Sequence, residues 1–176
     1  MPNYLLRMNP NAVEMLFTPY RVISECKEYN KLLDYIIEMR EDIAQYDPCA
    51  MLNSCNGMIN QYLKYYDRAG ELPSGKSLCG VMRITNLMYL YSLGMPFSAC
   101  LNPFAHDKEN ACIFLKQTML NAKAGGCTKK DAIEIINTAK SYKNDIITNM
   151  SCTMPNDSVR LKVRRIVSEL CKEAFK

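Results

Sequence analysis

Residues 77–93 read SLCGVMRITNLMYLYSL, and Arg83 is the only charged side chain among them. When this stretch is wound as a helix, apolar side chains fall on almost every side, and a helix of that kind belongs in the interior of a protein. A loop with glycine at both ends, 70–75, precedes the stretch, and Gly94 follows it. We therefore expect residues 77–93 to form the helix in the middle of a bundle.

Helical spacing of apolar residues recurs on both sides of this stretch, and no pair of adjacent alternating runs indicates a β-hairpin. Asn9, Thr128 and Asn156 or Asp157 are typical helix N-cap residues. The patterns predict an all-α fold, a compact multi-helix bundle of about seven helices in a single domain over residues 1–176. Besides 77–93, the helices are expected over about 9–17, 20–45, 48–67, 107–124 and 128–146 and from 156 onward.

The composition and charge limit the classes of function. A chain of 176 residues with 48% hydrophobic content can bury a sizeable core, which excludes a disordered protein. The net charge of +4 is too small for a dedicated nucleic-acid coat protein. Residues 1–106 hold nine basic and ten acidic side chains, whereas 107–176 hold thirteen and eight. The C-terminal part therefore carries the basic character.

Cysteine and histidine usage favours a reducing compartment. The nine cysteines include no CxxC pair, and His106 is the only histidine. We interpret the cysteines as small buried apolar residues, and we expect no disulfide framework, no metal site and no cofactor. The sequence has no signal-peptide pattern and no apolar run that could span a bilayer. These features predict a cytoplasmic protein, and the bias toward Asn, Lys, Ile, Tyr and Met suggests a phage gene expressed in a host cytoplasm.

The string GELPSGKS at 70–77 matches the phosphate-binding loop pattern G-x-x-x-x-G-K-S. That loop normally follows a buried strand, whereas here a helical run rich in tyrosine precedes it, and Pro73 restricts the backbone. We therefore expect an ordinary turn between helices. Lys76, beside the start of a helix, can still hold a phosphate. Arg83 lies seven residues later on the same face, where it either faces an anion or pairs with an acid such as Asp34, Asp67 or Glu71.

Two further groups of basic residues are candidates for contact with nucleic acid. The first is a run on the last helix, which is either a solvated polar face or a phosphate-binding surface: Arg160, Lys162, Arg164 and Arg165, extended by Lys172. The second joins tyrosines to cations and is either a surface that stacks bases or part of a core stripe: Tyr62, Lys64, Tyr65, Tyr66 and Arg68. For Tyr62 and Tyr66 the core is the better interpretation.

No catalytic constellation is apparent in the sequence. Paired carboxylates, a Ser or Cys near a His, and an acidic metal triad are all missing from the patterns. His106 precedes Asp107, which suits the start of a helix, so a turn or cap role is expected for this histidine. The residues therefore favour a protein that is not an enzyme.

Three segments together resemble the minimal nucleotidyltransferase-like proteins of the DNA polymerase beta superfamily, in the group found in bacteria and phages. They are NYLLRMNPNAVEMLFTP (3–19), GKSLCGVMRITNLMYLYSLG (75–94) and FLKQTMLNAKAGGCTKKDAIEII (114–136). In that family a Gly-Ser turn and an Asp-x-Asp pair in an upstream sheet hold magnesium and the triphosphate. The resemblance implies that this chain is the helical half alone and transfers no nucleotide by itself. It also implies that Lys76 and Arg83 face a nucleotide or a nucleic acid.

The leading hypothesis is therefore a non-catalytic, nucleotidyltransferase-derived binding protein encoded by a phage. Its ligand would be RNA, DNA, a nucleotide or a protein that covers the surface of the missing sheet. One alternative is half of a split nucleotidyltransferase whose catalytic half is a separate chain. Another is a structural or inhibitory oligomer that binds only protein. No membrane partner is expected.

Overall fold

The computed structural model describes residues 2–19, 25–102, 104, 112–151 and 153–174. Over these residues it contains ten α-helices, one 3₁₀ turn and no β-strand, which confirms the all-α prediction. The prediction of about seven helices was too low. The helices are α1 (Pro2–Leu6), α2 (Pro10–Glu14), α3 (Lys27–Glu38), α4 (Arg40–Gln45), α5 (Pro48–Ala69), α6 (Gly75–Ser92), α7 (Phe97–Leu101), α8 (Lys116–Lys123), α9 (Lys129–Asn149) and α10 (Asp157–Ala174), with the 3₁₀ turn at Met15–Phe17.

Three of the expected helices differ from the structure, and the first of them, expected over 9–17, is α-helical only over Pro10–Glu14 and continues as the 3₁₀ turn. The helix expected over 20–45 is divided into α3 and α4 at Met39, whose φ of −86° and ψ of 7° are not helical, and residues 20–24 lie outside the described residues. Of the helix expected over 107–124, the structure describes the part from 112, which is helical only from Lys116; 105–111 also lie outside the described residues. The side chain of Asn86 pairs with both backbone groups of Phe114, which holds the residues before α8 away from helical geometry.

The predicted helix caps are confirmed. The side chain of Asn9 accepts hydrogen bonds from the backbone N–H groups of Asn11 and Ala12 at 3.1 and 3.3 Å. Thr128 and Asp131 form a complete capping box at the start of α9. In that box each side chain binds a backbone N–H that the first helical turn would otherwise leave unpaired.

The helices group into two compact units, Met1–Met51 with Cys152–Lys176, and Leu52–Ser151. In the first unit, α10 packs against α1, α3 and α4 through the buried side chains of Val159, Val163 and Ile166. The Tyr46 hydroxyl donates a 2.7 Å hydrogen bond to the carbonyl of Leu6, which ties the end of α4 to α1. The expectation of a single domain stays a prediction.

In the second unit, α6 is the central helix and packs against α7, α8 and α9. Ten of its residues are buried: Leu78, Val81, Met82, Ile84, Thr85, Asn86, Leu87, Met88, Leu90 and Tyr91. Two glycines allow neighbouring groups to approach closely. A Cβ on Gly75 would lie 2.1 Å from the carbonyl oxygen of Ala122, and one on Gly80 would lie 2.7 Å from the ring of Tyr62. The burial of α6 on several sides agrees with the interior helix predicted from its apolar sequence.

Candidate nucleic-acid interface

The basic residues predicted on the last helix lie on the solvent side of α10. Lys162, Arg164 and Arg165 are exposed and Arg160 is half-buried. At about 100° per residue, Arg160 and Arg164 form one row along the helix, Arg165 projects about 100° further round, and Lys162 lies at the far edge. The cations therefore surround the exposed half of a convex helix and do not form a pocket.

Short-range ion pairs neutralise some of these cations. Arg160 lies 3.4 Å from Asp157, and the Nε of Arg165 lies 3.1 Å from the carboxylate of Glu169. The Arg165 side chain is nevertheless 83% exposed, and such surface pairs typically contribute less than about 1 kcal/mol. Within the described part of the chain, Lys162 and Arg164 form no salt bridge. An incoming phosphate would therefore have to displace only the weak surface pairs of Arg160 and Arg165.

One edge of this surface borders the end of α4. Burial raises the pKa of Tyr46, and Asp47 acts in the same direction, whereas Arg160 and Arg164 oppose the shift. The two arginines thus lie within electrostatic range of Tyr46. Because the Tyr46 hydroxyl is already bonded to Leu6, this tyrosine anchors the helix end and does not take part in binding.

The predicted pair on α6 shares one helix face, but its two members have different surroundings. Lys76 is exposed in the first turn, and Arg83 is half-buried roughly 10 Å further along the axis. Arg83 lines a small cavity of about 140 Å³ together with apolar and amide side chains from α6, α7, α8 and the residues after α7: Asn86, Leu87, Cys100, Leu101, Phe104 and Met119. The structure therefore places the pair on one face without bringing the two charges together.

The segment at 70–77 forms a turn between helices, as the context predicted. It connects the end of α5 directly to the start of α6, so a helix stands where a phosphate-binding loop has a strand. The Ser74 side chain caps α6 by accepting from the Ser77 backbone N–H at 3.2 Å, and the two serine hydroxyls lie 3.0 Å apart. Gly75 packs against the carbonyl of Ala122. The Ser77 hydroxyl, which a phosphate loop would offer to magnesium, thus belongs to a helix cap.

A second basic surface, where side chains of α5 and α9 meet, includes residues that the sequence analysis missed. Lys140 forms a salt bridge with Asp67, and its ammonium also lies 5.1 Å from the centre of the Tyr66 ring. Lys143 donates a 2.7 Å hydrogen bond to the side chain of Asn60. In the sequence, the three-residue spacing of Lys140 and Lys143 indicates that they share one face of α9. Only the structure shows that α5 lies beside that face.

Tyr62 and Tyr66, which the sequence assigned to the core, are both only half-buried. Tyr62 lies against Gly80, and Tyr66 is half-buried beneath Lys140. Tyr65 is 65% exposed, and the ammonium of Lys64 lies 5.9 Å from the centre of its ring. Only Tyr65 of the three therefore presents most of its ring to solvent.

The described residues provide little for metal or nucleophilic chemistry. Within those ranges, no group of three or more His, Cys, Asp and Glu side chains is placed to hold a metal ion. Burial raises the pKa of Cys55 to about 12, so this thiol stays protonated and unreactive near neutral pH. His106 lies outside the described residues. Among the helices that the structure describes, none is long and apolar enough to cross a membrane.

Comparisons with protein-family models, with curated proteins and with solved structures found no match for this chain.

Proposed function

We propose that this protein is a non-catalytic binding protein that contacts the phosphates of a nucleic acid through α10. The observation that carries the proposal is the exposure of Lys162, Arg164 and Arg165 on a helix whose opposite side is fixed in the core. Because the helix is anchored, the positions of the cations are set before a ligand binds. Repeated contacts of this kind supply the sequence-independent part of nucleic-acid affinity.

The arrangement favours a polymer over a single nucleotide. A mononucleotide is normally held in a concave site with convergent polar groups. The cations of α10 diverge from a convex helix, so one nucleotide would contact only one or two of them. A nucleic-acid backbone presents many phosphates along its length and can contact several of the cations at once. Among the ligands expected from the sequence, RNA or DNA therefore fits α10 best.

We also propose that the chain derives from the helical half of a nucleotidyltransferase, encoded by a phage. The support is the order of the three resembling segments at 3–19, 75–94 and 114–136. Under this proposal Lys76 and Arg83 mark the side that once faced a nucleotide. A separate catalytic chain would make the protein half of a split enzyme. That arrangement predicts nucleotide transfer only when the two chains are mixed.

The proposal is tested by fluorescence anisotropy with a labelled duplex at low salt. We expect Lys162→Ala, Arg164→Ala and Arg165→Ala together to weaken binding about 10-fold or more, because three charge-assisted phosphate contacts are lost. The matched control removes three exposed lysines elsewhere, Lys116, Lys123 and Lys130, with the same change in net charge. We expect less than about a 3-fold effect from this control.

Two results would contradict the proposal. Equal losses for the α10 triple variant and the control would show that net charge, and not α10, attracts the ligand. Absence of binding to both duplex and single-stranded nucleic acid would favour the alternative in which the chain binds only protein.

A further inference from the structure

The exposed side of α5 carries an aromatic ring and cations, and two lysines of α9 lie along one edge of it. We call it the α5–α9 strip and define it by six side chains: Lys64, Tyr65, Asp67, Arg68, Lys140 and Lys143. All six lie in the second compact unit, Leu52–Ser151. Four of them are cations and one is an acid, so the strip has a net charge of +3. Asp67 is paired with Lys140, which leaves three cations outside that salt bridge.

The ring of Tyr65 is suited to stacking. It is 65% exposed although it lies in the middle of a long helix, and burying an aromatic side chain normally stabilises a fold. Lys64 lies over the ring at 5.9 Å, and Arg68 is exposed one turn beyond Lys64. An aromatic face flanked by cations is the arrangement with which proteins bind a base and its neighbouring phosphates.

The cations of α9 extend this surface beyond one helix. The hydrogen bond from Lys143 to Asn60 places the ammonium of Lys143 beside α5, one turn before Lys64. Partial burial lowers the pKa of Lys143, and the nearby ammonium of Lys140 acts in the same direction, while Asp67 opposes it. Lys143 adds a cation at one end of the row that Lys64 and Arg68 form along α5.

We propose that the α5–α9 strip binds a single strand of nucleic acid, with one base stacked on Tyr65 and the adjacent phosphates on Lys64, Arg68 and Lys143. A single strand is required because the faces of duplex bases are covered by their neighbours in the stack. The inference rests on the proposed function, since it gives the nucleic-acid binding protein a contact that only a single strand can make. It adds a site on a different unit from α10.

The test measures the affinity of the full chain for labelled single strands of roughly 12 nucleotides, in DNA and RNA forms, and for a duplex of the same sequence. We expect Tyr65→Ala to weaken single-strand binding about 10-fold and duplex binding less than about 2-fold, because only an unpaired base can stack on the ring. Tyr65→Phe keeps the aromatic face and should bind like the wild type.

One control variant and one variant of the site separate stacking from general effects. Tyr35→Ala removes a tyrosine that is 44% exposed on α3, in the other unit, and should leave single-strand affinity unchanged. Lys64→Ala with Arg68→Ala should lower the magnitude of the slope of log affinity against log salt by about 0.7 for each lost contact. Both Tyr65 and Lys64 are exposed, so circular dichroism should show no loss of helix in these variants.

The outcomes distinguish the inference from the proposed function. Duplex binding that depends on α10, together with single-strand binding that Tyr65→Ala does not change, would overturn the inference and leave the proposed function standing. Absence of binding to all nucleic acids would overturn both. Selective loss of single-strand affinity in Tyr65→Ala would support the inference, and a difference between the DNA and RNA forms would show whether the 2′-hydroxyl contributes.

Discussion

The helices α6 and α10 both carry cations, but they hold them in opposite settings. In α6, ten residues are buried and Arg83 lies half-buried at a cavity beside Cys100 and Met119. In α10, the buried residues lie on one side, and Lys162, Arg164 and Arg165 face solvent. Removing the charge of Arg83 should therefore affect folding, whereas removing a charge from the exposed face of α10 should affect binding. The setting of a basic residue, more than its type, indicates its function.

The largest expected effect on the α6 side concerns Asn86. Its buried amide donates to the carbonyl of Phe114 at 2.8 Å and accepts from the Phe114 N–H at 2.9 Å. Asn86→Ala would leave both backbone groups buried without partners, so we expect a loss of about 3 kcal/mol in the free energy of unfolding. Urea denaturation followed by circular dichroism measures this loss. The control Asn144→Ala, at an exposed position on α9, should change stability by less than about 0.5 kcal/mol.

Arg83 and Lys76 allow a half-buried cation and an exposed cation to be compared within one helix, α6. Arg83→Ala removes a half-buried side chain whose stem packs at the cavity, and we expect a destabilisation of about 1.5 kcal/mol. Lys76→Ala removes an exposed side chain and should change stability by less than about 0.5 kcal/mol. Thermal unfolding of the two single variants tests this difference. Equal stability of the two variants would show that packing of the Arg83 side chain at the cavity does not stabilise the fold.

The capping box of α9 shows that an exposed charge can also stabilise the fold. Hydrogen bonds from the Thr128 side chain and backbone lower the pKa of Asp131. A lowered pKa in the folded state stabilises the protein above the unfolded pKa of about 3.9, and this contribution is lost as pH falls through the folded pKa. We expect Thr128→Ala to cost about 1 kcal/mol near pH 7 and less near pH 3. Urea denaturation at both pH values checks this, with exposed Thr148→Ala as the control.

The smallest effect on stability is expected for Glu169, the acid on α10 that pairs with Arg165. Glu169→Gln removes the 3.1 Å ion pair with Arg165, an exposed pair of the kind that contributes less than about 1 kcal/mol. The free energy of unfolding should change by less than about 0.5 kcal/mol. Affinity for nucleic acid should instead rise about 2-fold, because Arg165 no longer has an acidic neighbour. Unchanged or weaker binding would contradict the role given to Arg165.

Much of the fold could be predicted because it depends on local patterns. The apolar stretch at 77–93 predicted an interior helix, and Asn9 and Thr128 predicted two helix starts. The break at Met39 and the late start of α8 could not be predicted. The second of these depends on a hydrogen-bonded pair, Asn86 and Phe114, whose members are 28 residues apart in sequence.

The basic face of α10 could be predicted from the sequence more fully than the α5–α9 strip. Exposure of the basic residues of α10 follows from helical spacing beside the apolar stripe of Val159, Val163 and Ile166. The α5–α9 strip could be predicted only in part. The sequence shows Tyr65 and its neighbouring cations but not which helix lies beside them. Lys143 joins the strip through a tertiary contact with Asn60. Periodicity along one helix carries no information about such a contact.

The central claim is that the exposed cations of α10 contact nucleic-acid phosphates. The most direct test is the slope of log affinity against log salt concentration for a duplex, measured for the wild type and for the variant lacking Lys162, Arg164 and Arg165. Each phosphate contact contributes about 0.9 to the magnitude of that slope. We predict that the slope of the variant is shallower by about 2 to 3, with the fold intact. Parallel slopes for the two proteins would contradict the claim.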